Sequence, residues 1–151
     1  WRGVIGEPPS EDILLNQLSK TDLYIYLGHS GGEQYLSGEK IQSSTIRSVV
    51  FLMGCSSAML AQTGEYEPYG LLMQYLLAES PAVIANLWDV TDKDIDAYTM
   101  KVFKRWTDSV TDKDHSLNKV IQGSRDECRL PYLNGAAPVF YGLPIQRSFQ
   151  Q

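Results

Sequence analysis

Four short apolar segments divide the chain, and each of them ends at glycine or at a polar turn. Their residues are 22–27, 49–53, 82–87 and, less strongly apolar, 138–141. Apolar side chains occupy consecutive positions in these segments instead of every second position, which is typical of strands that are covered on both faces. We therefore expect a sheet that lies between two layers of helices.

Helical patterns fall between the predicted strands. The predicted helices are 11–18, 69–79 and 92–110. Ser10 and Thr91 precede the first and the last of these helices and are suitable N-caps, and Pro81 follows the second. The last helix carries one apolar stripe, at Ile95, Tyr98, Val102 and Trp106. Strands that alternate with helices predict a three-layer α/β domain with a mostly parallel central sheet.

Length and charge narrow the class of protein. The 151 residues are enough for one domain, which we expect to span residues 1–151. Thirteen lysines and arginines against 18 aspartates and glutamates give a net charge of −5, which argues against a nucleic-acid surface. No apolar run approaches the ~18 residues of a membrane span. The chain opens with tryptophan and not with methionine, so we expect it to be part of a longer polypeptide.

The chain has two cysteines and two histidines. Cys55, Cys128, His29 and His115 form neither a CxxC nor an HxxxH spacing, so a structural zinc site would need all four residues to converge. We therefore expect no metal and no cofactor. Two cysteines leave a single disulfide open, and a reduced intracellular setting is favoured.

His29 and Cys55 each follow one of two successive predicted strands. Ligands bind at the carboxyl ends of parallel strands, so both side chains are expected to face one crevice. A free thiol has a pKa of about 8.5 and needs an imidazole partner to act as a nucleophile at neutral pH. The amides of Ser30, Gly31 and Cys55 would then face a tetrahedral oxyanion. The alternative is a loop histidine beside an inert buried thiol.

Residues 28–32, GHSGG, also match the G-x-S-x-G serine elbow. That motif requires a helix directly after the serine and a histidine later in the chain. Residues 33–39 instead predict a short strand and a turn, and the later His115 has a polar setting. A phosphate loop is disfavoured too, because the residues after Gly38 are Glu and Lys and not Lys followed by Ser or Thr.

An acidic turn follows the third predicted strand, with aspartates at positions 89, 92, 94 and 96. Most of these carboxylates are expected to be solvated at the start of a helix, near its positive dipole end. Asp92 and Asp96 lie four residues apart and share a helix face. One of the carboxylates is a candidate to hold a cationic side chain, because carboxylates pair bidentately with arginine.

Three segments together resemble a known family. They are residues 27–35, LGHSGGEQY; residues 52–58, LMGCSSA; and residues 82–96, AVIANLWDVTDKDID. With the closing segment 134–144, NGAAPVFYGLP, they are similar, in the same order, to the catalytic domain of the separase family of caspase-like cysteine proteases. Related caspase-like families share the histidine-then-cysteine order, whereas segment 82–96 is the most specific of the three.

The resemblance implies catalytic residues. His29 would be the general base and Cys55 the nucleophile, which would form a thioacyl intermediate with the substrate. By analogy with caspase-like geometry, the oxyanion donors would be the amide of Cys55 together with that of Ser30 or Gly31. The family needs no metal and no cofactor.

The resemblance also implies substrates and partners. The family cleaves after arginine, so the acidic turn would line the arginine pocket, with Asp96 as the first candidate and Asp92 as the second. Its substrate is the kleisin subunit of cohesin, which is cut to separate sister chromatids at anaphase, and its inhibitor is securin. Such a protein is expected in the cytoplasm and nucleus.

A caspase-like sheet has two strands before the strand that leads to the histidine, whereas only a turn and one predicted helix precede residue 22. We expect the upstream region of the same polypeptide to supply these strands and to cover an exposed sheet edge. Two alternatives remain open. One is another caspase-like protease of CHAT type, which would share His29 and Cys55 but lack segment 88–96. The other is a catalytically inactive module that binds arginine-containing peptides.

Overall fold

A four-stranded sheet forms the centre of the protein in its computed structural model, which describes residues 7–62, 64–108 and 116–146. The strands lie side by side in chain order: β1 Leu23–Tyr26, β2 Val49–Leu52, β3 Ala82–Asn86 and β4 Pro138–Gly142. The first three strands are parallel, and β4 runs antiparallel to β3. The predicted mostly parallel sheet is therefore confirmed.

Helices cover both faces of this sheet. They are α1 Glu11–Lys20, α2 Gly38–Gln42, α3 Leu71–Leu77, α4 Asp92–Asp108 and α5 Leu117–Gln122. Successive residues of β2 separate into two cores: Val50 and Leu52 pack with α1, α2 and α3, whereas Val49 and Phe51 pack with α4 and α5. The three-layer α/β architecture is confirmed. None of the helices in the described ranges is long and apolar enough to cross a membrane.

The helix starts follow the predicted caps. The Ser10 hydroxyl accepts a hydrogen bond from the Ile13 amide at 3.4 Å, which fixes the first turn of α1. Thr91 precedes α4, and its carbonyl oxygen accepts the amides of Asp94 and Ile95. The predicted end of α4 at residue 110 lies outside the described residues.

The segment that follows β1 differs from the prediction. Residues 33–39 form turns and the start of α2, and the predicted short strand is wrong. The amides of Tyr35 and Leu36 both donate to the Gly32 carbonyl oxygen, at 2.9 and 3.3 Å. Gly32 has a φ of 87°, a conformation open to glycine, so the chain reverses there and turns Leu36 into the core. A helix begins only at Gly38, and the serine-elbow requirement stays unmet.

β1 forms one edge of the sheet. All four of its residues are half-buried, whereas every residue of β2 and β3 is buried. The peptide groups on the outer side of an edge strand are available to pair with a further strand.

Candidate active site

The loops that follow β1 and β2 start at the same level of the sheet. Tyr26 is paired with Leu52, and the Met53 amide donates to the Tyr26 carbonyl oxygen at 2.9 Å. His29 lies in the first loop, three positions after Tyr26, and Cys55 lies in the second loop, three positions after Leu52. We call residues 27–32 the histidine loop and residues 53–58 the cysteine loop. The parallel register therefore carries both loops out of the same end of the sheet, as the strand-end rule predicts.

Gly54 is the point at which the two loops touch. A Cβ atom at this position would lie 2.5 Å from the Gly28 carbonyl oxygen and 2.8 Å from the Ser30 amide nitrogen, and it would also collide with the Ser30 carbonyl oxygen. All three atoms belong to the backbone and cannot rotate away as a side chain could. The residue before Cys55 therefore lies directly against the residues on either side of His29.

Both loops contain a serine with a left-handed backbone. Ser30 in the histidine loop has a φ of 54°, and Ser56 in the cysteine loop has a φ of 52°. Such conformations cost about 1–3 kcal/mol in non-glycine residues and concentrate at functional sites. Ser56 is held by three hydrogen bonds: its amide donates to the Trp88 carbonyl oxygen at 3.2 Å, its hydroxyl donates to Asp89 Oδ1 at 2.6 Å, and its carbonyl oxygen accepts the Met59 amide at 2.9 Å.

The side chains of Cys55 and His29 have different surroundings. Cys55 is free and half-buried, and its thiol donates to the Val90 carbonyl oxygen at 3.2 Å. His29 is exposed, and its carbonyl oxygen accepts a hydrogen bond from the Tyr26 hydroxyl at 2.9 Å. Burial raises the pKa of Tyr26, which keeps this hydroxyl protonated as a donor. The loop backbone is thus anchored while the imidazole is accessible to solvent, and the pairing of the two residues stays a prediction.

Asn86, the last residue of β3, connects that strand to the cysteine loop. Its Nδ2 donates to the Gly54 carbonyl oxygen at 3.1 Å, its amide donates to Ser57 Oγ at 3.0 Å, and its carbonyl oxygen accepts the Ala58 amide at 2.9 Å. The side chain is fully buried, and its Oδ1 has no hydrogen-bond partner among the described residues. A buried acceptor left unpaired costs about 1–3 kcal/mol. The sequence pattern does not single out Asn86, whose one signal is an amide inside an apolar segment.

The three candidate oxyanion donors are not equivalent. The Gly31 amide donates to Glu33 Oε2 at 3.0 Å and is therefore engaged within the histidine loop. The amides of Cys55 and Ser30 donate to no acceptor in the described part of the chain. These two are the donors that remain open for a ligand.

Helix α4 exposes two of its early carboxylates and buries another. Asp92 and Asp96 are exposed, as predicted for a solvated helix start. Asp94 is buried, and its carboxylate accepts Asn134 Nδ2 at 2.8 Å and two backbone amides of the 129–135 loop, each at 3.3 Å. The Asn134 hydrogen bond outweighs burial and lowers the pKa of Asp94. Asp94 therefore anchors a loop and does not face solvent, which the sequence pattern did not reveal.

The remaining cysteine is a core residue. Cys128 is free and buried, and burial raises the pKa of its thiol to about 11. No disulfide joins the two cysteines. His115 and residues 147–151 lie outside the described residues. Within the ranges that the structure describes, no group of three or more histidine, cysteine, aspartate or glutamate residues could hold a metal ion.

A protein-family model described as the separin protease domain matches residues 1–95 of this chain. The chain belongs to the separin protease-domain family. Separin of Saccharomyces cerevisiae is 45% identical over 148 residues, separin of Emericella nidulans 43% over 153 residues and separin of Mus musculus 44% over 145 residues. These alignments cover 95%, 95% and 96% of this chain but only 9%, 7% and 7% of the relatives. The chain thus spans less than a tenth of the separins that it matches.

Solved separase structures share the fold. Two crystal structures of the Saccharomyces cerevisiae separase-securin complex, at 2.6 and 3.0 Å resolution, match with TM-scores of 0.84 and 0.86 and 44% sequence identity. They cover 91% and 94% of this chain and 9% of the yeast chain in each case. The family and the α/β fold that the resemblance implied are confirmed.

Proposed function

We propose that this separin protease domain carries a cysteine endopeptidase site, with Cys55 as the nucleophile and His29 as the general base. The observation that carries the proposal is the backbone contact at Gly54, because it sets the residue before the thiol against both neighbours of the histidine. A nucleophile and its base must come within hydrogen-bond reach of each other during the reaction. The family match supports the same class of reaction, since the family is described as a protease domain.

In the proposed reaction, His29 accepts the thiol proton of Cys55 while Sγ attacks the carbonyl carbon of the scissile peptide bond. The carbonyl oxygen becomes an oxyanion, whose collapse breaks the C–N bond. The amine leaves with the proton from His29, and a thioester remains on Cys55. Water then attacks the thioester and gives a proton to His29, which returns it to the sulfur as the carboxylic product leaves. None of these steps requires a metal or a cofactor.

The hydrogen bond from Cys55 to Val90 represents the resting state in this scheme. A backbone carbonyl oxygen accepts hydrogen bonds but does not act as the base, so this contact directs the thiol hydrogen toward Val90 and not toward His29. Sγ must leave Val90 before His29 can deprotonate it. We assign the oxyanion donors to the amides of Cys55 and Ser30, because the Gly31 amide would first have to leave Glu33.

We propose that the site selects arginine through a carboxylate of α4. Helix α4 starts at Asp92, shortly after Val90, whose carbonyl oxygen touches the thiol. Asp92 and Asp96 are exposed on one face of its first turns and are free to pair with a guanidinium group. Asp96 remains the first candidate and Asp92 the second. Asp94 is excluded from this role by its bonds to the 129–135 loop.

We further propose that the protein cleaves the kleisin subunit of cohesin at anaphase and that a securin inhibits it. The solved yeast relatives are separase-securin complexes, which supports securin as a partner. The kleisin substrate follows from the family resemblance of the sequence.

A peptide electrophile that ends in arginine is the test of this function. We expect the full-length protein to be captured stoichiometrically at Cys55 by this probe but not by the same warhead ending in aspartate. Asp96→Ala is expected to slow capture by the arginine probe about 10- to 100-fold, because a hydrogen bond to a charged group contributes about 1.5–3 kcal/mol. Asp92→Ala is the matched control on the same helix face, and intact-mass analysis with peptide mapping gives the rates.

Each other outcome of the capture experiment has a distinct meaning. A reversed order of the two aspartate variants would move the arginine pocket to Asp92. Equal capture of both probes would favour a CHAT-type protease, and capture of neither by the folded protein would favour a peptide-binding module. Securin in excess is expected to slow capture by the arginine probe; an unchanged rate would contradict inhibition at this site.

We propose that the upstream region of the same polypeptide pairs with the outer edge of β1. The half-buried residues of β1 support this, since the buried strands β2 and β3 already have neighbours on both sides. Amide hydrogen exchange compares the isolated chain with the full-length protein. We expect slower exchange in β1 of the full-length protein and unchanged exchange in β3; equal exchange of β1 in both would contradict the pairing.

A further inference from the structure

The buried side chain of Asn86 donates a hydrogen bond to the peptide group that precedes the candidate nucleophile. Its Nδ2 lies 3.1 Å from the Gly54 carbonyl oxygen. This oxygen can only accept hydrogen bonds, so the atom facing it must be the amide nitrogen and not Oδ1. The orientation of the side chain is therefore fixed, even though its Oδ1 is left without a partner in the described structure.

The Gly54 carbonyl and the Cys55 amide belong to one planar peptide group. In a trans peptide the C=O and N–H bonds point in opposite directions, so a bond that fixes the carbonyl also fixes the direction of the N–H. Donation to the carbonyl oxygen also polarises the peptide and strengthens its N–H as a donor. The Cys55 amide is open within the described chain and is the first oxyanion donor of the proposed reaction.

We propose that Asn86 is a positioning residue for the oxyanion site: through the Gly54 carbonyl, it orients and polarises the Cys55 amide toward the developing oxyanion. This inference rests on the proposed cysteine-protease function and deepens it. Asn86 touches neither substrate nor thiol in this role. It acts through the Gly54–Cys55 peptide group, whose carbonyl oxygen accepts its hydrogen bond.

The other hydrogen bonds of Asn86 separate this role from simple support of the loop. The amide and carbonyl of its backbone bond Ser57 Oγ and the Ala58 amide, and the Ser57 hydroxyl also donates to the Leu52 carbonyl oxygen at 2.6 Å. None of these bonds uses the Asn86 side chain. Asn86→Leu keeps them all, has the same number and branching of side-chain heavy atoms, and removes the donor to Gly54 together with the unpartnered Oδ1.

Two thiol reagents distinguish the oxyanion role from damage to the nucleophile. Iodoacetamide alkylates Cys55 by displacing iodide, a step that forms no oxyanion. A peptide aldehyde ending in arginine forms a tetrahedral adduct whose oxygen occupies the oxyanion site. In the full-length protein, we expect Asn86→Leu to weaken aldehyde inhibition by about 10- to 100-fold, less than the 100- to 1000-fold effect of losing an oxyanion donor outright, because the Cys55 amide itself remains. The rate of Cys55 alkylation and its pH midpoint should remain within about threefold of the parent protein, because the thiol and its base are untouched.

Two further variants control for folding. Asn86→Asp has the same shape, but its carboxyl group can donate to the Gly54 carbonyl oxygen only when it is protonated. Relative to the parent protein at each pH, aldehyde inhibition of this variant should recover as the pH falls, whereas the leucine variant should show no recovery. Ser57→Ala loosens the same loop without touching the Gly54–Cys55 peptide, so it should change aldehyde inhibition and alkylation by the same factor.

The outcomes separate this inference from the proposed function. A parent protein that binds the arginine aldehyde at Cys55, with Asn86→Leu losing alkylation and inhibition together or losing neither, overturns the oxyanion role and leaves the protease assignment intact. A parent protein that does not bind the aldehyde at Cys55 contradicts the protease assignment itself.

Discussion

Under the proposed function, replacing Cys55 by serine is expected to abolish cleavage of a kleisin substrate, with a fall in kcat/KM of about 10⁴-fold or more. A serine hydroxyl has a far higher pKa than a thiol, so the imidazole of His29 would deprotonate it far less readily. Binding of an uncleaved arginine peptide should be retained, because Asp92 and Asp96 are unchanged. The measurements are gel-based kleisin cleavage and fluorescence anisotropy of the labelled peptide.

Cys128→Ser is the matched control for this substitution. It makes the same chemical change in the one other cysteine, whose buried thiol has a pKa raised to about 11 and donates to the Asp94 carbonyl oxygen at 3.7 Å. The serine oxygen would lie farther from that carbonyl oxygen than the sulfur does, so we expect some loss of stability, whereas cleavage by the folded protein should stay near that of the parent protein. Retained cleavage by the Cys55 variant, or loss of cleavage in the Cys128 variant alone, would remove Cys55 from the role of nucleophile.

The secondary structure was largely predictable because most elements have a local cause. Consecutive apolar residues marked the buried strands β2 and β3, and Ser10 marked the start of α1 through a side-chain cap. The direction of β4 was not predictable, since the same apolar run suits either a parallel or an antiparallel edge. The wrong strand at 33–39 has a specific cause. The Gly32 carbonyl oxygen accepts two amide hydrogen bonds where the chain reverses direction. The pattern of side chains in residues 33–39 gives no sign of that reversal.

The candidate site was predictable only in part. His29 and Cys55 follow two strands, and the strand-end rule selects such positions without knowledge of the register. The roles of Asn86 and Asp94 were not predicted, because their side-chain partners Gly54 and Asn134 lie 32 and 40 residues away in the chain. Only the folded structure brings these residues together. Buried side-chain amides and carboxylates are also rare. A sequence pattern therefore places Asn86 at the end of a strand and Asp94 at a solvated helix start.

Gly54→Ala is expected to inactivate the protein even where it remains folded. The new Cβ would meet the backbone of Gly28 and Ser30, so the cysteine loop and the histidine loop would have to move apart. Crowding of this kind typically costs about 1–3 kcal/mol of folding free energy. A displacement of about 1 Å between reacting groups is enough to cost about 100-fold in rate. Thermal unfolding and kcat for an arginine peptide, measured on the same sample below the unfolding transition, separate the two effects.

Gly38→Ala is the matched control for Gly54→Ala. Its Cβ would also meet a close neighbour, but that neighbour is the flexible side-chain amide of Gln74, and alanine is favoured over glycine in a helix. We expect stability and kcat close to those of the parent protein. If Gly54→Ala also kept its kcat, catalysis would tolerate separation of the two loops. The backbone contact at Gly54 would then no longer support the proposed pairing of His29 and Cys55. If the variant lost kcat and alkylation of Cys55 by iodoacetamide slowed with it, the damage would lie in the relative placement of histidine and cysteine. Alkylation at the parent rate would instead place the damage in another part of the site, such as the oxyanion donors.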